Sequence, residues 1–517
     1  MIGLSAPTSP YSCPLMWDNI LTRSAQLDPD AAALVANDTV YSYGVLDRTS
    51  SQLAGWVAAQ GARSRVAVIL PNSFEWMVCA FAISKSGAAL VPLNPTYTDR
   101  ELSYILVDAS VELIFCRSSH LERLKALQAD VPTLRHVEVI DSARDLGNLL
   151  EGLPDAATER RRDWNSSQSI LYTSGTTGRP KGAVVSHRAR VVSSVSCQLD
   201  LGFTKQTRLN CPLPLFHSGA QALFMTTLVA AGGTLILPRD ASPGAALEAI
   251  REHGANVLAA VPTIAARYLE SNIFIDSTKS LPLELVHGGA SMPGQVAERF
   301  LNELKTWSLA EVYGATEAPQ LTVLNGEEYR RNPTFTGRPL SGCDVRVVDA
   351  DGNEVAVGQT GRVVSAGPHL FDGYLNEPEK TAQVLKDGVF DTGDIGLREP
   401  RGYISIVGRT TDVIISGGLN VYSREIEELL HIHPKVRDAS VFAVPDQKWG
   451  EAIGVAIVCQ PSETLTSEDV VQFCLQNLAP YKKPRHVWFV DEFPLTPSGK
   501  VKKVELRERL VVGRPPE

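Results

Sequence analysis

The chain has 517 residues, of which 44% are hydrophobic and 21% are charged, and this is an ordinary globular composition. The length is too great for a single compact core, so two or more domains are expected. The formal net charge of −9 argues against a general nucleic-acid-binding protein, which needs a basic surface.

The beginning of the chain has no basic region followed by an apolar stretch, so no secretory signal is expected. A long apolar run over 221–237 is interrupted by two glycines, and its second half has the pattern of a strand. It indicates a buried helix leading into a buried strand, and no membrane span is expected. The eight cysteines have neither C-x-x-C pairs nor zinc-site spacing. We interpret them as reduced thiols of a cytoplasmic protein.

Short apolar runs alternate with helical patterns through the first part of the chain. Residues 65–70 and 88–93 have the pattern of buried strands, with a predicted helix over 73–86 between them that Asn72 or Ser73 caps. The same pattern of buried strands returns at 255–261 and 283–287. Alternation of strands and helices predicts parallel sheets covered by helices.

The pattern changes after about residue 335, where glycine, proline and charged turn residues become dense. Short alternating strands at 344–349 and 361–365 predict an antiparallel β subdomain. From residue 412 onward the pattern is that of a small α+β domain.

That small domain begins with a predicted helix over 423–430, capped by Ser423, and continues with predicted strands at 439–444 and 453–458. We place the domain boundary so that residues 1–409 form a large N-terminal domain and residues 410–517 form a C-terminal domain.

The segment 172–182, Tyr-Thr-Ser-Gly-Thr-Thr-Gly-Arg-Pro-Lys-Gly, follows a predicted strand and is rich in glycine and hydroxyl groups. Small residues let a backbone wrap closely around an anion, hydroxyls donate to phosphate oxygens, and Lys181 adds a positive charge. It is not a Walker A loop, because Gly182 stands where Ser or Thr is needed. The alternative is a flexible polar surface loop. The predicted phosphate-binding residues are Thr173, Ser174, Gly175, Thr176, Thr177 and Lys181.

Six further motifs follow in order. They are 214–217 (PLFH), 287–290 (HGGA), 312–317 (VYGATE), 391–394 (DTGD), 408–418 (GRTTDVIISGG) and 497–500 (PSGK). With the glycine-rich segment they resemble the motifs of the adenylate-forming (ANL) superfamily, which includes acyl-CoA synthetases, luciferases and peptide-synthetase adenylation domains. The resemblance covers about residues 15–510.

This resemblance implies an α/β fold, with a large N-terminal domain of parallel-rich sheets plus a β subdomain. A small α+β C-terminal domain is joined to it by a hinge. The ATP and acyl sites would lie in 1–409, and the catalytic lysine and the thiol-acceptor face in 410–517. The implied reaction is attack of a carboxylate on the α-phosphate of ATP, giving acyl-AMP and pyrophosphate. Positioning and electrostatics would carry such a reaction.

The resemblance also assigns roles to single residues. Lys500 bridges the carboxylate and the α-phosphate, Thr316 contacts the α-phosphate, and Glu317 binds Mg²⁺. Asp394 holds the ribose hydroxyls and Arg409 adds a ribose or phosphate contact. The adenine is expected to lie among Gly288, Gly289, Ala290, Tyr313 and Gly314, with the tyrosine ring stacked on it.

The acyl pocket is expected between 214–220, 286–290 and 314–321. Its shape would come from Phe216, His217, Ser218, Gln221, His287, Ala315, Ala318 and Gln320. His217 is expected to gate the pocket and is grouped with the catalytic residues. Polar His287 and Gln320 suit an acid with a polar substituent, such as a hydroxy- or amino-arylcarboxylate. A small aliphatic or medium-chain acid stays open.

The segment 416–420 resembles the coenzyme A ligase version of the hinge region. The expected coenzyme A contacts are Ser416, Gly417, Gly418, Trp449 and Lys482. In the family the small domain rotates between the two half-reactions. The hinge position, usually Asp or Lys, is Thr411 here, and Asp412 is an acid one place later.

ATP, Mg²⁺ and coenzyme A are therefore the expected cofactor and co-substrates, with an AMP-forming acyl-CoA synthetase as the expected enzyme. One alternative is a stand-alone enzyme that loads the phosphopantetheine of a carrier protein or another acceptor. Another is a degenerate homologue that only binds nucleotide. We expect no nucleic-acid partner, and a homodimer stays open.

Overall fold

The computed structural model describes residues 16–62, 64–154, 163–173, 180–495 and 501–513. The helices are α1 (Trp17–Leu27), α2 (Tyr43–Ala59), α3 (Phe74–Ser86), α4 (Asp99–Asp108), α5 (Ser118–Leu127), α6 (Ala143–Leu150), α7 (His187–Leu201), α8 (Thr227–Ala231), α9 (Pro243–His253), α10 (Pro262–Glu270), α11 (Asn272–Thr278), α12 (Gly294–Glu303), α13 (Gly326–Arg331), α14 (Pro378–Val384), α15 (Ser423–Ile432), α16 (Ser467–Asn477) and α17 (Lys503–Gly513).

The strands are β1 (Ala32–Ala36), β2 (Thr39–Ser42), β3 (Arg65–Ile69), β4 (Ala89–Pro92), β5 (Leu113–Cys116), β6 (His136–Val139), β7 (Ser167–Thr173), β8 (Lys181–Ser186), β9 (Arg208–Asn210), β10 (Thr234–Leu237), β11 (Val257–Ala260), β12 (Glu284–Gly288), β13 (Ser308–Tyr313), β14 (Thr322–Asn325), β15 (Arg338–Pro339), β16 (Asp344–Val348), β17 (Thr360–Ala366), β18 (Gly373–Tyr374), β19 (Leu385–Lys386), β20 (Val389–Arg398), β21 (Ile404–Arg409), β22 (Val413–Ser416), β23 (Leu419–Tyr422), β24 (Val436–Asp446), β25 (Gly450–Cys459) and β26 (His486–Phe489).

Two large sheets dominate the N-terminal part. The first has the strand order β15-β14-β13-β12-β11-β9-β10-β1-β2, and the second has the order β18-β8-β7-β4-β3-β5-β6. The inner pairs of both sheets are parallel, and antiparallel pairs stand at the edges. The largest apolar cluster draws on both sheets, with Leu235 from the first and Val68 from the second, and it includes Trp76 of α3. The prediction of parallel-rich sheets is confirmed.

Two smaller sheets follow. The third, β16-β17-β20-β19 with β21 on β20, is antiparallel, as predicted for the β subdomain. The fourth, β23-β22-β25-β24 with β26 on β25, packs with α15 and α16 as the predicted α+β unit. The chain passes from the third sheet to the fourth between Arg409 and Val413. The boundary at residue 409 stays a prediction, because a change of sheet does not by itself define a domain.

Helix α3 follows its predicted bounds closely. The Ser73 side chain accepts a hydrogen bond from the Trp76 backbone N–H, and Gly87 ends the helix in the left-handed conformation, with φ of 83°. Of the two predicted caps, Ser73 is therefore the one used. The cap predicted at Ser423 is wrong. Ser423 is the first residue of α15, Tyr422 precedes it without a side-chain cap, and the Ser423 hydroxyl instead accepts from Lys503 Nζ at 3.3 Å.

The apolar run 221–237 forms helix and strand as predicted, but its first part is a π-helix, Gly219–Thr226, that continues into α8 before β10 begins. Short π-helical segments occur often at functional sites. No helix among the described residues is both long and apolar enough to cross a membrane.

Candidate active site

Two neighbouring parallel strands of the first sheet, β12 and β13, end side by side. Gly288 pairs with Val312, and a Cβ atom on Gly288 would lie 2.6 Å from the Val312 carbonyl oxygen. Only glycine fits at such a distance, so packing of the backbone alone already explains Gly288. The next two residues, Gly289 and Ala290, are exposed at the strand end, which leaves their backbone accessible to a ligand.

A tight turn follows β13. Ala315 and Ala318 exchange two backbone hydrogen bonds of 2.9 and 3.2 Å. A Cβ atom on Gly314 would lie 2.7 Å from the Ala318 carbonyl oxygen, so the turn requires glycine there. Thr316 and Glu317 lie within the turn and are half-buried. The motif therefore presents two polar side chains from a rigid turn at the edge of the sheet.

Three predicted nucleotide residues meet at Asp394, which lies in β20 and is paired with Arg409 of β21. The Tyr313 hydroxyl donates to Asp394 Oδ2 at 2.5 Å, and Arg409 Nε lies 3.2 Å from Asp394 Oδ1. The Asp394 side chain is 7% exposed, whereas that of Arg409 is 58% exposed. Burial and the Asp394 carboxylate raise the pKa of Tyr313 well above its usual value, which keeps the phenol protonated.

A second group of polar residues forms around Glu317. The Tyr374 hydroxyl donates to Glu317 Oε1 at 2.6 Å, and Lys181 Nζ lies 5.1 Å from the centre of the Tyr374 ring. Lys181 pairs with Thr173 across the β7–β8 hairpin, whose two strands lead to and from the glycine-rich segment. The predicted metal ligand, Glu317, therefore contacts the hydroxyl group of Tyr374. The predicted loop lysine, Lys181, lies against the ring of the same tyrosine.

Tyr374 was not predicted. It lies on β18, a two-residue strand that pairs antiparallel with β8, with Tyr374 opposite Ala183. Burial and Glu317 raise the pKa of this tyrosine, so its hydroxyl is a donor at neutral pH. A strand of two residues has no periodicity, and no sequence signal marks this tyrosine. Five predicted site residues, Ser174, Gly175, Thr176, Thr177 and Lys500, lie outside the described residues.

The 214–217 motif is held by Asn72. Its side-chain amide donates to the Leu213 carbonyl oxygen, and its carbonyl oxygen accepts from the Leu215 backbone N–H, both at 2.8 Å. Phe216 and His217 lie ring against ring, with centroids 4.6 Å apart, and both are half-buried. Asn72, one of the two predicted caps of α3, therefore fixes the segment that carries His217, the residue predicted to gate the pocket.

The predicted acyl-pocket residues do not share one environment. Phe216, His217, Ser218 and Ala315 are half-buried, whereas Gln221, His287, Ala318 and Gln320 have no exposed surface. His287 Nε2 lies 2.9 Å from the Tyr329 hydroxyl, and burial lowers the pKa of His287 to about 3. The ring is therefore neutral at pH 7. Its Nε2 atom is paired with Tyr329, and its Nδ1 atom has no hydrogen-bond partner among the described residues. Recognition of a polar substituent by His287 stays a prediction.

Four of the five predicted coenzyme A residues lie together. Ser416, Gly417 and Gly418 form the turn between β22 and β23, and the Gly417 N–H donates to the Trp449 carbonyl oxygen at 2.9 Å. Gly417 has a φ of 61°, and a Cβ atom there would lie 2.8 Å from the Trp449 ring. The turn and the indole ring are thus in direct contact. The fifth residue, Lys482, forms an ion pair with Glu425 at 2.6 Å.

Arg485 is a further residue that was not predicted at this surface. Its guanidinium carbon lies 4.4 Å from the centre of the Trp449 ring, closer than the Nζ atom of Lys448 at 5.0 Å. The segment 481–484, Tyr-Lys-Lys-Pro, contains Lys482, the lysine predicted to contact coenzyme A. The structure places the Arg485 guanidinium group over the Trp449 ring and pairs Lys482 with Glu425, and contact of Lys482 with coenzyme A stays a prediction.

The predicted hinge lies in a short turn, Thr410–Asp412, between the third and fourth sheets. The Thr411 hydroxyl donates to Asp412 Oδ1 at 3.1 Å and is exposed. Asp412 Oδ2 in turn lies 3.9 Å from Lys503 Nζ. The acid beside the hinge position therefore makes an ionic contact that threonine itself cannot make.

The C-terminal sheet touches the N-terminal part through α15, which packs against α12 and β21. Arg424 of α15 donates to the Ile406 carbonyl oxygen. The positive charge of Arg424 also acts on Glu311, a buried residue of β13. Glu311 Oε2 lies 3.9 Å from His287 Nε2. Burial raises the pKa of Glu311 to about 8 in spite of that arginine. A protonatable carboxyl group thus lies beneath the contact between the two parts.

Comparison with known proteins gives consistent matches. A family described as AMP-binding enzyme matches residues 21–375, and its companion, AMP-binding enzyme C-terminal domain, matches 425–500. A feruloyl-CoA synthase of Amycolatopsis is 32% identical over 491 residues, covering 94% of this chain and 97% of that one. An indoleacetate–CoA ligase of Aromatoleum aromaticum is 31% identical over 498 residues, covering 94% and 97%. The crystal structure of ATP-bound MatB from Rhodopseudomonas palustris has a TM-score of 0.89 at 31% identity, covering 96% of this chain and 99% of that one.

Proposed function

The chain belongs to the family of AMP-binding enzymes, and from that premise we propose that it is an AMP-forming acid–thiol ligase. It joins a carboxylic acid to coenzyme A, with ATP converted to AMP and pyrophosphate. Two of its relatives are named as coenzyme A ligases or synthases, and each aligns with more than nine-tenths of the chain. We infer the acceptor thiol from those relatives, and the nucleotide site from the arrangement of Tyr313, Asp394 and Arg409.

The observation that carries the proposal is the meeting of Tyr313, Asp394 and Arg409. They come from two sheets and converge with hydrogen-bonding distances of 2.5 and 3.2 Å. A buried carboxylate whose oxygens already accept bonds is held rigidly, so it accepts from the two ribose hydroxyls without reorganising. Arg409, with 58% of its side chain exposed, remains accessible for a ribose or phosphate contact. Tyr313 presents its ring to the adenine while its hydroxyl fixes the carboxylate.

The phosphates would lie beside Thr316, Glu317 and Lys181. Magnesium is usually bound in such sites by one or two carboxylates together with substrate phosphates. The single carboxylate of Glu317 fits that requirement, because Tyr374 donates to only one of its two oxygens. No cluster of three or more acidic, histidine or cysteine side chains suited to a metal is present in the described part of the chain. Mg²⁺ bound here would neutralise phosphate charge.

In the first half-reaction the acid's carboxylate oxygen forms a bond to the α-phosphorus, and the bond to pyrophosphate breaks. We assign to Lys500 the positive charge that brings the acid's carboxylate and the α-phosphate together. Lys181 is assigned the contact with the outer phosphates. In the second half-reaction the thiol of coenzyme A forms a thioester with the acyl carbon, and AMP leaves. The turn 416–418, packed on Trp449, is the proposed contact surface for the coenzyme A arm.

We further propose that residues 410–517 move as a unit about Thr411 between these steps. Among the described residues, the hydrogen bond of the Thr411 side chain goes to its neighbour Asp412, which lies 3.9 Å from Lys503 Nζ. An uncharged residue at the pivot leaves Asp412 to make the ionic contacts of the hinge. Movement there would allow the C-terminal part to supply Lys500 in the first step and the surface around Trp449 in the second.

A test of the proposal measures both products separately. Purified enzyme with ATP, Mg²⁺ and a panel of carboxylic acids should release pyrophosphate, and added coenzyme A should give AMP and an acyl-CoA in equal amounts. Asp394→Asn should abolish both, whereas Asp276→Asn, at an exposed ion pair on α11, should abolish neither. Release of pyrophosphate with no thioester from coenzyme A, but transfer to a carrier protein's phosphopantetheine, would redirect the proposal to the second acceptor.

A further inference from the structure

Arg190, in the second turn of α7, is one of the largest fully buried side chains of the protein. Its Nε donates to Gln168 Oε1 at 3.2 Å, and its Nη2 donates to Ser169 Oγ at 3.1 Å. Its Nη1 has no hydrogen-bond partner among the described residues, and no carboxylate within that part of the chain forms an ion pair with it. A full positive charge is therefore buried against two neutral groups.

Such an arrangement is costly. Arginine is almost never fully buried unless it is paired, because the loss of hydration is repaid only by an opposite charge or complete hydrogen bonding. Burial lowers the pKa of Arg190 to about 9, so the group remains charged at pH 7. A carboxamide and a hydroxyl are partial dipoles and do not neutralise it. Within the described part of the chain, the guanidinium group therefore has no anionic partner.

Other polar groups without partners belong to the same region of the fold. Ser193 Oγ, one turn after Arg190 on α7, has none among the described residues, nor does Gln168 Nε2. The nitrogen and oxygen of the Gln221 amide, and those of the Gln320 amide, also have no hydrogen-bond partner among the described residues. Each of these four side chains is at most 1% exposed. Buried polar groups are rarely left without partners, so these side chains are available to a polar ligand.

Packing brings the segments that carry these groups against α7. The Ser194 hydroxyl donates to the carbonyl oxygen of Ala222, the neighbour of Gln221 in the π-helix, at 3.2 Å. Ala189, the neighbour of Arg190, packs in one apolar cluster with Ala318 and Leu321. Gln320 lies between those two residues in the chain. Arg190 therefore lies on a helix that contacts both segments of the predicted acyl pocket.

We propose that Arg190 binds a second anionic group of the acid substrate, so that the enzyme selects dicarboxylic acids. One carboxylate is adenylated at the nucleotide site, and the other forms an ion pair with the guanidinium group. Gln221, Gln320 and Ser193 are the positioning donors and acceptors around it. The inference rests on the proposed acid–thiol ligase activity and names the substrate class of that site.

The position of Arg190 also limits the length of the acid. Its partner Gln168 lies five residues before Thr173 on β7, about 16 Å along a strand. A second carboxylate bound to Arg190 would lie near the start of that strand. From that distance we expect dicarboxylates longer than malonate, such as adipate and suberate, to be preferred over malonate.

The competing explanation is that Arg190 has a structural role alone and connects α7 to β7 through its hydrogen bonds. The two explanations differ in one respect. A structural role alone affects every acid equally, whereas an anion receptor affects only acids that carry a second charge. Rates with paired acids of equal length separate them.

The experiment measures kcat/KM for ATP–pyrophosphate exchange with adipate against hexanoate, suberate against octanoate, and malonate. The wild type should favour the longer dicarboxylate over its matched monocarboxylate by at least about tenfold. Arg190→Met should lower kcat/KM for the dicarboxylates by about 100-fold, as expected for loss of one partner of a buried charge pair. Its activity on the monocarboxylates should stay within about threefold. Arg208→Met removes a partly buried arginine whose bonds go to His253 and Thr234, and it should leave the ratio unchanged.

Two outcomes overturn the inference. One is a wild type that activates monocarboxylates at least as well as matched dicarboxylates, a result that needs no variant to fold. The other is an equal loss on both classes in Arg190→Met. In both cases pyrophosphate exchange with monocarboxylates leaves the ligase proposal standing. If no acid supports exchange in the wild type, the ligase proposal itself fails.

Discussion

The hydroxyl group of Tyr313 lies 2.5 Å from Oδ2 of Asp394, although the two residues are 81 positions apart in the chain. One ends a parallel strand of the first sheet, and the other lies in the antiparallel third sheet. The bond therefore joins the β subdomain to the strand ends of the large sheet. Whatever binds between them meets a carboxylate that is already oriented.

Removal of that hydroxyl in Tyr313→Phe should raise the KM for ATP by about tenfold, because a hydrogen bond to a charged group contributes about 1.5–3 kcal/mol. The ring is kept, so any stacking on adenine is kept with it. Tyr268→Phe is the matched control, since Tyr268 is buried and its hydroxyl has no partner among the described residues. An unchanged KM for ATP in Tyr313→Phe would contradict the role given to the bond.

Glu317→Gln should raise the Mg²⁺ concentration needed for half-maximal pyrophosphate release by at least about tenfold. The amide keeps the shape of the side chain and its acceptor for the Tyr374 hydroxyl, but it loses the charge that a hard cation requires. Titration of Mg²⁺ at saturating ATP measures the shift. Glu327→Gln, at an exposed ion pair with Arg331, serves as control. Equal Mg²⁺ curves for the wild type and Glu317→Gln would remove Glu317 from the metal site.

Gly417→Ala should slow thioester formation by about tenfold or more and leave pyrophosphate release in the absence of coenzyme A near the wild-type rate. An added methyl group would meet the Trp449 ring at 2.8 Å, so the turn or the indole ring has to move. Gly388→Ala has a similar φ, 76°, but no neighbour within 4 Å, and it controls for backbone strain alone. Parallel losses in both half-reactions would show that the turn does not serve coenzyme A specifically.

The stability of the protein should fall as the pH rises from about 4.5 to about 8, in part because of Glu311. Burial raises the pKa of this carboxyl group to about 8, so the folded state keeps a proton that the unfolded state releases. Arg424 opposes the shift, and Glu428 reinforces it. Glu311→Gln stays neutral and should flatten this slope, raising Tm at pH 8 by about 2 °C or more.

Thermal unfolding at several pH values checks this expectation for Glu311. Glu298→Gln, at an exposed position on α12, should keep the wild-type slope. If Glu311→Gln unfolded with the same pH dependence as the wild type, the carboxyl group would be ionised in the folded state.

The sequence predicted the local arrangement of residues best where motif and backbone geometry coincide. Gly288 and Gly314 are forced by close backbone approaches, and Asp394 and Arg409 lie opposite each other on adjacent strands. Such positions depend on local geometry that a short motif encodes. The order of the motifs therefore predicted residues that the fold brings together, and their binding of the nucleotide stays a prediction.

Side-chain partners that come from remote elements could not be predicted in the same way. Tyr374 reaches Glu317 through a two-residue edge strand, and Arg485 reaches Trp449 through the pairing of β26 with β25. The contact between the buried His287 ring and the Tyr329 hydroxyl is a further example, since nothing in the HGGA motif indicates it. Strand register and the direction of a buried ring depend on the packing of the whole core, and periodicity does not report them.

The central claim is that a carboxylate oxygen attacks the α-phosphorus of ATP. An acid labelled with ¹⁸O in its carboxylate tests this directly, with AMP, pyrophosphate and acyl-CoA examined by mass spectrometry after one turnover. One labelled oxygen should appear in AMP, because the bond formed to phosphorus stays when the thiol displaces the nucleotide. Label in phosphate or pyrophosphate, or unlabelled AMP alongside acyl-CoA, would contradict the account.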